Sequence, residues 1–221
     1  SALPPAEAVR IGDPADGQVN GAIARRSPGS ALKPFIYAAA LDAGRLAPDS
    51  LLPDAPIDRA GWRPDNFDRT FRGPVTAAEA LRDSLNIPAM LLTEELGLER
   101  CLGVMEACGL ELPPDAAARG GLSLAVGGLE VRLLDLTDAF ATLARGGVHR
   151  PARLFADEPA PDGRRVLAAD TAAAVSGMLS SAHRLPETGD AVIGLGDAWL
   201  SWKTGTSSAR RDAWAVGHNG R

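Results

Sequence analysis

No stretch of the sequence approaches the roughly 20 consecutive apolar residues that a membrane span requires. Ser1 to Arg10 has neither the basic start nor the apolar centre of a signal peptide, so the chain as it stands is expected to be soluble. Basic charge is also short: 23 Lys and Arg against 28 Asp and Glu leave a net charge of -5. That is the wrong sign for a partner whose phosphates demand clustered cations, and no DNA or RNA binding is expected. Cysteine is limited to Cys101 and Cys108 in a helical-looking run. Seven residues of helix put them about 10 Å apart along the axis, too far for a disulfide without a bend, so both are read as small buried hydrophobes. His149, His183 and His218 have no ligand spacing with one another or with the cysteines, and no metal is expected. Gly120-Gly121 and Gly127-Gly128 lack the G-x-x-x-x-G-K pattern of a phosphate loop, and no cofactor is expected. The Glu94-Glu95, Arg25-Arg26 and Arg210-Arg211 pairs read as solvated faces and loops.

What is present is a well-mixed chain of 221 residues, 45% hydrophobic and 23% charged, enough to bury a core in one domain. Ala2 to Gly17, rich in Ala, Pro and Asp without a sustained period, predicts a loosely held arm over residues 1–17, with the folded domain over 18–221. After Ser27-Pro28-Gly29, the run Leu32 to Leu41 predicts a helix closed at Gly44, with Ser30 at the turn that opens it. Residues 45–75, dense in Pro, Asp and Gly, predict an ordered loop layer without regular structure. Thr76 and Glu79 have capping-box spacing and start a helix over Ala77 to Ser84. Pro88 leaves Ser84, Leu85 and Asn86 at a junction before helical runs at Met90 to Leu96 and Glu99 to Ala107. Leu133, Leu136, Phe140 and Leu143 mark an amphipathic helix ended by Gly146-Gly147, and Asp170 is expected to cap another over Thr171 to Ser181. Arg153 to Arg165 and Leu185 to Gly196 read as loops. Only near the end does the period become two: Trp199 to Thr206 and Asp212 to His218 predict an antiparallel hairpin joined by Ser207 to Arg211. The fold class is therefore α+β, a mostly helical lobe followed by antiparallel sheet flanked by helices.

Three motifs carry chemistry. In Ser30-Ala31-Leu32-Lys33 a helical turn places the lysine amine beside the serine hydroxyl. Serine needs a base to take its proton, and lysine serves only if burial or a nearby cation such as Lys203 lowers its pKa. In Ser84-Leu85-Asn86 an extended junction points Ser84 and Asn86 the same way. Ser84 is then placed to pass a proton to a leaving amine, and the Asn86 amide to bind a substrate carbonyl and orient Lys33. In Lys203-Thr204-Gly205-Thr206 the two threonines share one face of a strand and suit a C-terminal carboxylate, with Lys203 supplying positive charge. Gly205 is expected to leave room for a substrate backbone. The N–H groups of Ser30 and Thr206 form a candidate oxyanion hole. By chance, S-x-x-K should occur roughly once per couple of hundred residues and S-x-N about as often. The specificity of the set therefore rests on Lys-Thr-Gly-Thr and on the order of the three.

The segment Arg26 to Phe35, with Gly73-Pro74-Val75, Ser84 to Ala89, Leu124 to Gly128, Lys203 to Ser207 and Arg211 to Trp214, resembles the transpeptidase domain of class A penicillin-binding proteins. Arg-Ser-Pro-Gly together with Arg63-Pro64-Asp65-Asn66-Phe67-Asp68 is most similar to the penicillin-binding protein 1C branch. The resemblance implies a serine β-lactamase/transpeptidase-like fold in which Ser30, assisted by Lys33 and Ser84, forms an acyl-enzyme on the D-Ala-D-Ala ends of peptidoglycan stem peptides and is acylated by β-lactams. Asn86, Lys203, Thr204, Gly205 and Thr206 would bind the substrate. It also implies the periplasmic face of the bacterial inner membrane and a membrane-anchored parent carrying a glycosyltransferase domain. The family begins its sheet well before the active-site helix and extends it past the position of Trp214. With 29 residues ahead of Ser30 and an end at Arg221, a sheet trimmed at both ends is expected here. A D,D-carboxypeptidase or β-lactamase of the same fold is the nearest rival. Class A β-lactamases, however, have Asp in the central motif, where Leu85 stands, and an acidic motif that does not follow Asn86. A non-catalytic β-lactam sensor is the other alternative.

Overall fold

A computed structural model of the chain describes residues 20–59, 61–153, 155, 157–180, 200–207 and 211–220. The predicted arm over 1–17, the loop Leu185 to Gly196 and the first residue of the predicted hairpin, Trp199, lie outside the described residues.

The helix expected after Ser30 is the axis of the fold. Helix α1 (Lys33–Asp42) is buried on every side from Lys33 to Ala40. A helix apolar all round must be enclosed. It is covered by α3 (Asn86–Leu96), α4 (Leu98–Ala107) and α7 (Ala169–Met178), with α2 (Ala77–Arg82) alongside. Phe140 of α6 (Leu133–Ala144) meets Phe35 edge-on, with ring centroids 5.6 Å apart at 86°. Such a pair adds about 1 kcal/mol beyond the area it buries. Cys101 and Cys108 are free and fully buried in this core, and burial pushes their thiols up to about 11 and about 12. They are packing residues, as their setting in an apolar run predicts.

The punctuation read from the sequence holds at several ends. Gly44 follows α1 with φ +64°, its N–H bonding Leu41 O at 2.9 Å. The Thr76–Glu79 capping box is complete: Thr76 N donates to Glu79 Oε2 at 2.8 Å and Glu79 N to Thr76 Oγ1 at 3.2 Å. Two starts differ from expectation. Helix α3 begins at Asn86 rather than after Pro88, because a proline lacking its N–H is tolerated in the first helical turn. Helix α7 begins at Ala169 and is not capped by Asp170. Instead the Asp42 carboxylate at the end of α1 accepts from Ala168 N at 2.9 Å and Thr171 Oγ1 at 3.1 Å.

Residues 45–75 are not free of regular structure. Strand β1 (Leu51–Asp54) pairs antiparallel with β2 (Gly73–Thr76), with Pro53 opposite Pro74. Proline at edge positions conceals such a ladder from a reading of strand propensity. A second pair, β3 (Val148–His149) with β4 (Arg164–Arg165), is too short to leave a period. The late hairpin is found: β5 (Ser201–Thr206) pairs antiparallel with β6 (Ala213–His218), Lys203 opposite Val216 and Gly205 opposite Trp214. Among the described residues, the other side of β5 meets an isolated bridge from Ser180 and the backbone of a 3-10 turn at Gly29–Leu32. Helix α5 (Ala116–Gly120) and a second 3-10 turn, Gly121–Val126, complete an α+β architecture.

Candidate active site

The chain contains two lysines, Lys33 and Lys203, and the fold buries both at one place. The 3-10 turn Gly29–Leu32 runs directly into α1, so true α geometry begins only at Lys33. Residues i and i+3 eclipse in a 3-10 turn, which brings Ser30 to the side of the chain from which Lys33 leaves. Ala31 and Leu32 are buried and hold the turn, while Ser30 stays partly exposed. It lines a cleft of about 630 Å³ together with Ser84, Asn86, Thr204, Gly205 and Thr206.

Lys33 Nζ donates to Ser84 O and to Asn86 Oδ1, each at 2.7 Å. Burial, and secondly the positive charge of Lys203, hold its pKa well below the ordinary lysine range. Among the described residues no hydrogen bond joins Lys33 Nζ to Ser30 Oγ. Lys203 Nζ donates to Ser84 Oγ at 2.8 Å and to Thr204 O at 3.0 Å. One residue, Ser84, thus holds both amines, one through its backbone and one through its hydroxyl.

The junction that makes this possible is not extended. Ser84 has φ +64°, a left-handed conformation that costs a non-glycine residue of order 1–3 kcal/mol. The chain leaves α2 at Asp83 and enters α3 at Asn86, and the left-handed residue lies within that span. In this conformation the Ser84 carbonyl faces Lys33 and the hydroxyl faces Lys203. Asn86 is not beside Ser84 on a strand but is the first residue of α3, and its amide is aimed by Asp65 O, which accepts from Nδ2 at 2.7 Å.

On β5 the alternation is as predicted: Lys203 and Gly205 are buried, and Thr204 and Thr206 stand exposed toward the cleft. Gly205 is also needed for packing: a Cβ there would overlap Pro28 O and approach Ala31 N to 3.0 Å, so the glycine permits contact with the Ser30 turn. The same wall uses two more glycines. A Cβ on Gly29, which has φ +55°, would fall against the Thr206 backbone, and one on Gly127 against Gly29. Ser27 Oγ ties the turn to Gly127 O at 2.7 Å. The three segments Pro28–Ser30, Gly127 and Gly205–Thr206 therefore meet backbone to backbone.

Several cleft residues were not among the candidates. Asn66, Phe67 and Asp68 lie on its wall, and Phe67 is 76% exposed. They belong to the Arg63 to Asp68 segment, whose composition marks it without indicating what it touches. The two described histidines stand elsewhere, His149 pairing with Asp138 at 2.9 Å and His218 meeting Ser176 at 3.3 Å; His183 is outside the described residues. Among the described residues no group of three His, Cys, Asp or Glu side chains could hold a metal, and no helix is long and apolar enough to cross a membrane.

The penicillin-binding protein transpeptidase domain family matches residues 11–212. Penicillin-binding protein 1C of Escherichia coli is 39% identical over 93% of this chain, and penicillin-binding protein 1F of Bacillus subtilis 32% identical over 90%. The chain spans 26% and 29% of those two relatives' lengths. In structure it is similar to the PonA1 protein of Mycobacterium tuberculosis in complex with penicillin V. The TM-score is 0.75 at 23% identity, covering 93% of this chain and 61% of that one, and the likeness is one of fold. The family match runs through all three motif segments, from Ser30 to Thr206, and the chain belongs to the penicillin-binding protein transpeptidases.

Proposed function

We propose that residues 18–221 form a D,D-transpeptidase unit that crosslinks peptidoglycan through an acyl-enzyme on Ser30 and is acylated at the same serine by β-lactams. The observation that carries this reading is the buried Lys33 amine, fixed by Ser84 O and Asn86 Oδ1 and depressed in pKa by burial and by Lys203. A neutral lysine amine has two N–H donors and one lone pair. The two acceptors occupy both hydrogens and leave the lone pair for the Ser30 proton.

In the proposed reaction Lys33 takes that proton as Ser30 Oγ attacks the carbonyl of the penultimate D-alanine. The oxyanion is received by the N–H groups of Ser30 and Thr206. Ser84, its hydroxyl held by Lys203, gives its proton to the departing D-alanine amine and regains one from Lys33. The amine of a neighbouring stem peptide then attacks the ester, and the proton it loses returns to Ser30 Oγ. Thr204, Thr206 and Lys203 receive the terminal carboxylate. Asn86 spends one Nδ2 hydrogen on Asp65 O and keeps the other for a substrate carbonyl.

A hydrolase would need a base to activate water against the ester. Of the two carboxylates on the cleft, Asp83 is bound to Arg72 and Arg82, and Asp68 is exposed and accepts from Thr70 N. That leaves Lys33 as the base for either nucleophile, and the choice between water and an amine is what the donor and acceptor assay decides. In the cell the unit would work at the periplasmic face of the bacterial inner membrane, held there with a glycosyltransferase domain by other parts of a longer protein.

A donor peptide ending in D-Ala-D-Ala, supplied with and without an acceptor amine, tests the reading. The expected outcome is D-alanine release with donor joined to the amine. Equal release into water alone would make the chain a carboxypeptidase. Penicillin acylation without any peptide turnover would make it a sensor.

A further inference from the structure

We infer that Asn66 is a positioning residue for the base, acting on Lys33 through Asn86. The inference rests on the reading of Lys33 as the group that deprotonates Ser30.

Asn66 is 4% exposed and has its side-chain polar atoms fully engaged. Its Nδ2 donates to both oxygens of Asp54, at 2.8 and 3.0 Å, and to Thr70 O at 2.8 Å. Its Oδ1 accepts the backbone N–H of Asn86 at 2.8 Å. Asp54 is wholly buried at the end of β1 and also accepts Arg72 N at 2.9 Å, just before β2. The excursion between the two strands is thus pinned at its base by a carboxylate, and Asn66 projects from that anchor onto the first residue of α3.

The contact fills a gap in the helix itself. The first N–H groups of a helix have no partner inside it and are commonly received by a Ser, Thr, Asp or Asn at the N-cap. Here the N-cap is Leu85, which has no acceptor to offer. Asn66 supplies it from 20 residues away. Its neighbour Asp65 receives Asn86 Nδ2 at 2.7 Å. Asn86 is therefore clamped twice by adjacent residues, once on its main chain and once on its amide. With NH2 held at Asp65 O, Oδ1 is the end presented to Lys33 Nζ at 2.7 Å. If the clamp loosened, the amide could rotate and offer its own donors to the amine, and the orientation of the Lys33 lone pair would be lost. The reacting geometry would slacken while Ser30, Lys33 and Lys203 all remained in place.

The test compares penicillin acylation of the wild-type chain, Asn66→Ala, Asn86→Ala and the double variant, reading both rate and final stoichiometry by intact mass. The wild type must first label at Ser30; without that, the proposed function fails and takes this inference with it. Given labelling, Asn66→Ala is expected to slow acylation roughly 10- to 100-fold, as small misplacement of catalytic groups does, while still reaching one adduct per chain. In the Asn86→Ala background the same substitution should cost less than about twofold, because the two act as one unit. A reduced stoichiometry at unchanged rate would make Asn66 a folding residue only and overturn the inference. So would an equal rate loss in both backgrounds. If Asn66→Ala does not fold, Asn66→Ser keeps a donor for Asp54 but does not reach Asn86, and the same outcomes apply to it.

Discussion

Replacing Lys33 by alanine is expected to slow acylation of Ser30 by penicillin roughly 10³-fold, within the range a positioned general base supplies. The pH profile carries the more specific information. Burial first, and Lys203 second, lower the Lys33 pKa, so its conjugate acid gives up the proton below the ordinary lysine range. The native rate should therefore rise with pH through that depressed pKa and then level, and Lys33→Ala should lose the rise. Lys203→Met removes the like charge and should move what remains of the limb to higher pH. A limb that moves down or stays fixed would separate the two amines electrostatically. Stability follows the same linkage. Below the depressed pKa both states hold the proton; between it and the ordinary value of 10.5 only the unfolded chain does. Lys33 therefore makes stability increase with pH across that window, and below about pH 9, where the raised Cys101 and Cys108 thiols do not yet contribute the opposite slope, Lys33→Met should flatten the rise when denaturant midpoints are compared over pH.

Gly205→Ala is expected to be the most damaging single methyl group in the site. Its Cβ would overlap a backbone oxygen, Pro28 O, which cannot rotate aside as a flexible side chain can. Overpacking of this kind costs about 1–3 kcal/mol, and the strain would be relieved by moving β5 away from the Ser30 turn. Thr206 N and Ser30 N would separate together, and a shift of about 1 Å is enough to lower acylation roughly 100-fold. Gly103→Ala is the matched control: it lies in α4 with nothing near its added Cβ, and alanine there should raise stability by about 0.5–1 kcal/mol through helix propensity. Urea midpoints and penicillin acylation rates of the two variants should move in opposite directions for stability, with only Gly205→Ala losing rate.

The features legible in the sequence are those fixed by near neighbours. Ser30 and Lys33 are one turn apart, Thr76 and Glu79 close their own capping box, and β5 and β6 show a two-residue period with the threonines on one face. The lowered Lys33 pKa could also be anticipated, since an amine in an apolar helix beside a second lysine has few other options. What escaped depends on segments far apart in the chain. Ser84 is left-handed in the short passage from α2 to α3, which no local preference of Ser-Leu-Asn dictates. Gly205 must be glycine against Pro28 because the Ser30 turn is laid along β5. Asp42 rather than Asp170 receives the start of α7, and Asn66 receives the start of α3, because packing brings those acceptors to the helix ends. Pro53 and Pro74, which read as loop residues, sit opposite each other in the ladder that anchors Asp54.

The most direct test of serine acylation is the intact mass of the chain after exposure to penicillin, followed over time and mapped by peptide digestion. One adduct on Ser30 that outlasts removal of free penicillin, and is missing from Ser30→Ala, is the predicted result. Absence of any adduct, or an adduct that Ser30→Ala retains, would contradict it.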